Sequence, residues 1–135
     1  MPPKTIIELM EQRTVTIDDM FSCVLNIRPL EIQAYIRVLM GANTVQQISE
    51  QIQRTKSTVQ RLLNQLMGCG LVKRESISRE ETGYYYIYEA LPPEDVRNLL
   101  TERFESMFQK MQKHMSIDWV NQIEDRIDEE RKASS

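Results

Sequence analysis

Two cysteines, one histidine and four glycines are all that the 135 residues hold of the types that most often ligate metals or build phosphate loops. Cys23, Cys69 and His114 are too few to close a zinc site, and two thiols do not make a disulfide framework. No glycine-rich phosphate loop occurs, and no nucleophile sits in a triad-like pattern with a base. General acid–base work would rest on scattered carboxylates. Neither an enzyme nor a cofactor is therefore expected. Long apolar runs are lacking too. Nothing approaches the length of a bilayer span, and the opening "MPPKTIIELMEQ" has no signal-peptide core. A cytoplasmic protein with no membrane partner is the expectation. Repeats and low-complexity tracts are missing as well, apart from a polar "ERKASS" end.

What the chain does have is a composition for folding: 41% hydrophobic and 27% charged residues exclude wholesale disorder. The length suits one compact domain with an added arm, and the boundary is expected between residues 1–91 and 92–135. The formal net charge is −3, but the charge is polarised. Residues 43–79 carry six bases (Arg54, Lys56, Arg61, Lys73, Arg74, Arg79) against Glu50 and Glu75, whereas residues 92–135 carry seven bases against ten acids. A local positive field steers polyanions even on an acidic protein.

The apolar spacing predicts mostly helix. Ile6, Ile7, Leu9 and Met10 form one patch, and Met20, Phe21, Val24, Leu25 and Ile27 another behind the acidic start at Asp18 and Asp19. Cys23, on that second apolar face, is expected in the core. Pro29 opens a helix whose stripe is Ile32, Tyr35, Ile36, Leu39 and Met40, ended by Gly41. Thr44 and Gln47 then make a capping-box pattern ahead of Val45, Ile48 and Ile52. Thr55 can cap a further helix at about residues 55–67, with Val59, Leu62, Leu63 and Leu66 inward and Gly68 and Gly70 as its stop. Cys69, between those glycines, reads as a small filler: a thiol at a helix C-terminus gains nothing from the dipole.

Two short strands follow within residues 71–90, joined by "REETG" as a hairpin. The tyrosines of "YYYIYEAL" are expected to be sheet core and cross-strand partners, with base stacking the alternative. After Pro92 and Pro93 comes a long amphipathic helix bearing Leu100, Phe104, Met107, Phe108, Met111 and Met115. A second stripe, with Trp119 and Ile123, is displaced from the first, so a break is expected near residues 115–118, with Ser116 able to cap the restart. That arm needs something to lie against, and a second copy of the chain is the expected partner. His114 lies on its surface-facing row.

The order helix, helix, helix, hairpin is that of a winged helix, so the fold class is mainly α with a small β-hairpin wing and a long C-terminal helical arm. The segment "STVQRLLNQLMGCGLVKRE" buries one face while offering hydroxyls, amides and bases on the other. A helix read by the DNA major groove has those requirements. Arg61 can pair bidentately with guanine, and Gln60 or Asn64 with adenine. Lys56, Ser57, Thr58 and Thr44 lie near helix starts, where phosphate is met by hydroxyls and backbone amides. Arg79, at the hairpin tip, can reach a phosphate or the minor groove. Lys73 and Arg74 alternate in direction, so only one of them is expected to face DNA.

The stretch "TVQQISEQIQRTKSTVQRLLNQLMGCGLVKRE", with "LNIRPLEIQAYIRVLM" before it, resembles the winged helix-turn-helix of MarR-like and, more closely, TrmB-like prokaryotic regulators, especially archaeal ones. The likeness spans roughly residues 25–91. It rests on the capped first helix, the Ser57-Thr58-Val59 start, Leu62 and Leu66, and the "GLVKRE" exit. It implies a transcriptional regulator that binds specific double-stranded DNA as a homodimer through terminal helices. Ser49 stands where such proteins usually have alanine, and Gln53 where the turn often has glycine; a positive φ at Gln53 would cost about 1 kcal/mol. The sugar-binding domain that follows the wing in TrmB regulators has no counterpart in the forty or so residues present here, so no such pocket is expected and any effector is unknown. The alternative reading is a winged helix used as a protein-interaction module, in which the outward positions of the second helix should be more apolar than Gln60, Arg61 and Asn64.

Overall fold

The computed structural model describes residues 5–79, 81 and 83–134. Seven helices and one hairpin are assigned among them: α1 Ile6–Glu11, α2 Ile17–Leu25, α3 Pro29–Leu39, α4 Val45–Ile52, α5 Lys56–Gly68, β1 Val72–Arg79, β2 Gly83–Ala90, α6 Pro93–Ser116 and α7 Trp119–Ser134. Two compact units divide between Leu100 and Thr101. The winged helix with its appended arm of helices is thus the architecture that forms.

Helix starts are set by threonines. Thr5, Thr16, Thr44 and Thr55 each sit in extended backbone, and each side chain accepts from the amide three residues on. At Thr16 the box is reciprocal: Thr16 Oγ1 accepts from the Asp19 amide at 3.0 Å, and Asp19 Oδ2 accepts from the Thr16 amide at 3.1 Å. Asp19 is therefore buried with its partners, which include the Gln12 side-chain amide, and is more than a dipole charge.

The core of the first unit lies between α2, α3, α4, α5 and the base of the hairpin. Tyr35, Ile48, Val59, Leu63, Leu66 and Leu71 are its most enclosed large side chains. Tyr35 meets Phe21 edge-on at 5.8 Å between centroids and donates its hydroxyl to the Leu91 carbonyl at 2.5 Å. Burial raises the pKa of that hydroxyl. Val96 is buried in the same core, and Leu99 and Leu100 pack on it, so the first turns of α6 complete the winged helix. The division expected after Leu91 falls inside this core.

Three burial expectations need correction. On α3 the covered row is Ile32, Ala34, Tyr35 and Val38, while Ile36, Leu39 and Met40 are exposed. Two apolar rows flank each other on this helix, and only one is covered. Cys23 is exposed, on the side of α2 away from Phe21 and Leu25. Of the wing tyrosines only Tyr88 is buried; Tyr84 and Tyr86 are exposed and Tyr85 is half-buried.

The turn between α4 and α5 shows how the chain manages without glycine. Gln53 adopts φ 56°, ψ 51°, the left-handed region in which a side chain costs energy. Ser49 clasps the strained turn: its hydroxyl donates to the Arg54 carbonyl at 2.5 Å, and its own carbonyl accepts from the Arg54 amide at 3.2 Å. Alanine, expected at this position from the resemblance, could make only the second of these bonds. Ser49→Ala should lower unfolding stability by about 1 kcal/mol. Gln53→Gly should raise it by about 0.5 kcal/mol, because relieved strain outweighs the added freedom of the unfolded chain. Urea unfolding midpoints of the two variants check both signs.

Candidate nucleic-acid interface

Helix α5 is anchored by Val59, Leu62, Leu63 and Leu66, all buried, and this fixes which side chains look outward. Lys56, Ser57, Arg61 and Asn64 are exposed, and Thr58 and Gln60 are half-buried. No acidic residue occurs anywhere on the helix. Among the described residues no carboxylate pairs with Lys56 or Arg61. Gln65 is also exposed, one turn beyond Arg61 on the same row, and extends this face beyond the positions expected from the sequence.

The helix start is polar and tightly organised. Thr55 Oγ1 accepts from the Thr58 amide at 3.2 Å, donates to Thr58 Oγ1 at 3.0 Å and lies 3.4 Å from Ser57 Oγ. Thr44 is half-buried at the start of α4, where its hydroxyl accepts from the Gln47 amide at 3.1 Å. The Gln47 side chain returns to the Asn43 amide at 2.9 Å, one residue ahead of the cap.

The hairpin pairs Val72 with Ala90 through to Arg79 with Gly83. Its register sorts the wing into two faces. One carries Val72, Arg74, Ser76 and Ser78 opposite Ala90, Tyr88, Tyr86 and Tyr84, and it has no acid. The other carries Lys73, Glu75, Ile77 and Arg79 opposite Glu89, Ile87, Tyr85 and Gly83. The acid-free face is the one that meets α5, through Tyr88, whose hydroxyl lies 3.3 Å from Gln60 Nε2. Of the two neighbouring bases on β1, Arg74 therefore shares the α5 side. Lys73 stands on the opposite face, 3.4 Å from Glu89 in an exposed pair of little energetic weight. Arg79 is also on that face, at the last pair before the turn, with its guanidinium 4.3 Å from the Tyr85 ring centre. Within "REETG", Glu80 and Thr82 lie outside the described residues.

Arg74 is held by Tyr86, its guanidinium 4.1 Å from the ring centre, which fixes the cation without neutralising it. Tyr84 and Tyr86 meet edge-on at 5.4 Å. The hydrogen bond between their hydroxyls, aided by the charge on Tyr84 when ionised, pushes the Tyr86 pKa up, against a smaller downward pull from Arg74.

In the second unit and the helix leading to it, apolar side chains are uncovered. Phe104, Met107, Phe108, Met111, Met115, Trp119 and Ile123 are all exposed, and the Phe104 and Phe108 rings stack at 6.5 Å. Leu100, grouped with them from the sequence, is half-buried against the core of the first unit. The arm breaks where expected, between Ser116 and Trp119, with Asp118 at φ 48°. Ser116 does not cap the restart; its hydroxyl turns back to the Lys113 carbonyl at 3.0 Å. His114 is exposed and edge-on to Trp119 at 5.8 Å. Among the described residues no group of histidine, cysteine and carboxylates could hold a metal, and no helix is long and apolar enough to cross a membrane.

The family described as sugar-specific transcriptional regulator TrmB matches residues 21–94, from α2 to the start of α6. The chain belongs to the TrmB family. An uncharacterised protein of Methanocaldococcus jannaschii, MJ1503, is 36% identical over 112 residues, 82% of this chain and 81% of its own. A second, MJ1082, is 35% identical over 102 residues, 75% of this chain and 84% of its own. Among solved structures, a possible transcriptional regulator from Methanosarcina mazei Go1 superposes with a TM-score of 0.64 at 20% identity, over 74% of this chain and 86% of that one. This TrmB-family chain thus has the family and the winged-helix fold of transcription regulators.

Tyr88→Phe in this TrmB-family protein should keep the fold and lose about 0.5–1 kcal/mol of stability, the worth of one partly solvated hydrogen bond. The Gln60 side-chain amide protons should then exchange faster with solvent, which side-chain NMR can measure.

Proposed function

We propose that this chain is a homodimeric regulator that binds specific double-stranded DNA, with α5 in the major groove and the wing on the backbone or minor groove. One observation carries the reading: α5 is pinned on its apolar side and presents an acid-free outer surface of Lys56, Ser57, Thr58, Gln60, Arg61 and Asn64. The major groove admits such a helix and offers base edges that Arg, Gln and Asn can match. Lys56, Ser57 and Thr58 at the helix start, with Thr44 at the start of α4, suit phosphate. Arg74 extends the positive surface along the wing from α5. Arg79 serves the tip, and Lys73, beside Glu89, contributes least.

Affinity on this reading is largely electrostatic. A dimer using about eight cations should lose roughly ten-thousandfold in affinity between about 50 and 200 mM salt. Arg61→Ala should relax the base preference at one position, and Arg79→Ala should weaken binding to all sequences alike. Lys73→Ala should change little. Selection from a random duplex pool, followed by titrations at fixed salt, tests all three. Identical behaviour of Arg61→Ala and Arg79→Ala would show the helix to be wrongly placed.

The uncovered face from Phe104 to Ile123 supports self-association, because so much exposed apolar surface is costly in water. A dimer joined through this arm brings two copies of α5 to one palindromic site. Phe108→Glu combined with Met111→Glu should halve the mass found by sedimentation and reduce operator affinity at least about a hundredfold. A mass equal to that of the unaltered protein would place the dimer contact elsewhere.

A further inference from the structure

Tyr88 occupies an unusual place for a wing residue. Its ring is 3% exposed in the core of the winged helix. Its amide donates to the Asn43 carbonyl at 2.9 Å, which ties β2 to the segment between α3 and α4. Its hydroxyl reaches α5, 3.3 Å from Gln60 Nε2. The same Gln60 nitrogen lies 3.1 Å from Asn64 Oδ1, one turn further along the helix. Tyr88, Gln60 and Asn64 therefore form one chain of hydrogen bonds, rooted in the hydrophobic core and ending on the exposed side of α5. Both amide side chains of the proposed reading surface lie on it; the two Nε2 hydrogens of Gln60 are engaged by Tyr88 and Asn64, so Gln60 Oε1 and Asn64 Nδ2 are the groups left to meet base edges.

A free glutamine on a helix surface samples many rotamers, and holding one of them to meet a base costs entropy at the moment of binding. Here that freedom is already restricted by a hydroxyl that cannot move without disturbing the core. We infer that Tyr88 is a positioning residue for base recognition: it orients Gln60, and through Gln60 also Asn64, so that the two amides read DNA as a single unit. The inference rests on the proposed placement of α5 in the major groove. It adds a residue from the wing that touches no base itself.

The test compares the unaltered protein, Tyr88→Phe, Gln60→Ala and the double variant by selection from a random duplex pool. Titrations on the enriched site, on single-base variants of it and on unrelated DNA then follow, at a temperature where all four proteins are folded. Tyr88→Phe is expected to lower discrimination by about three- to tenfold at the same base position that Gln60→Ala relaxes, the range one hydrogen bond supplies. Affinity for unrelated DNA should stay unchanged, and the double variant should match Gln60→Ala alone. A Tyr88→Phe profile identical to that of the unaltered protein, with Gln60→Ala relaxed, would overturn the positioning role. So would a uniform loss on every sequence, since that is what a merely structural residue gives. If Gln60→Ala changes nothing while Arg61→Ala relaxes a position, the inference falls and the groove placement stands. No enriched site for any of the proteins would remove both.

Discussion

The burial of Val59, Leu62, Leu63 and Leu66 is the constraint on which the surface of this protein depends. Each fully buried aliphatic side chain contributes on the order of 1.5–3 kcal/mol. Turning α5 by a single residue would swing its apolar row about 100° and bring these side chains into water. The helix is thus fixed in rotation as well as in position. That is why an acid-free outer face can be treated as a rigid object, with Arg61 and Asn64 in set places, and not as a loose collection of polar groups.

Much of this could be read from the chain because the helix-turn-helix is punctuated at every boundary. Thr44 and Thr55 mark starts, Gly68 and Gly70 mark a stop, and the spacing of Ile48, Ile52, Val59, Leu62, Leu63 and Leu66 identifies the buried side. Gln53 stands where such turns often have glycine, and its backbone is left-handed, the condition under which its side chain carries a cost. The α3 stripe was harder to read. Ile36, Leu39 and Met40 are as apolar as the row beside them, and composition does not reveal which row the rest of the chain covers. Cys23 raises the same problem on α2, where a short helix offers little periodicity to separate its faces.

The wing tyrosines show a different limit. The register puts Tyr84, Tyr86 and Tyr88 on one face, but a hairpin of two strands has core beneath it only at its base. Tyr88 reaches that base and is buried; Tyr84 and Tyr86 lie beyond it. The link from Tyr88 to Gln60 joins residues 28 apart and depends on a register set by the turn, so no local pattern announces it. The arm was legible as amphipathic and as broken near residue 116. The left-handed backbone at Asp118, which accomplishes the break, was not read, although aspartate adopts that region more readily than the serine two positions earlier.

The clasp between Ser49 and Arg54 has a consequence for how such a turn can diverge. The hydroxyl that bonds across it and the glutamine that strains it form a matched pair, and the combination of alanine and glycine is another way of closing the same loop. Exchanging one partner alone leaves a mixed state, either unsupported or over-supported. Substitutions at 49 and 53 should therefore be epistatic, with the fitness of one allele conditional on the other, and a lineage would pass between the two solutions most easily by installing glycine first.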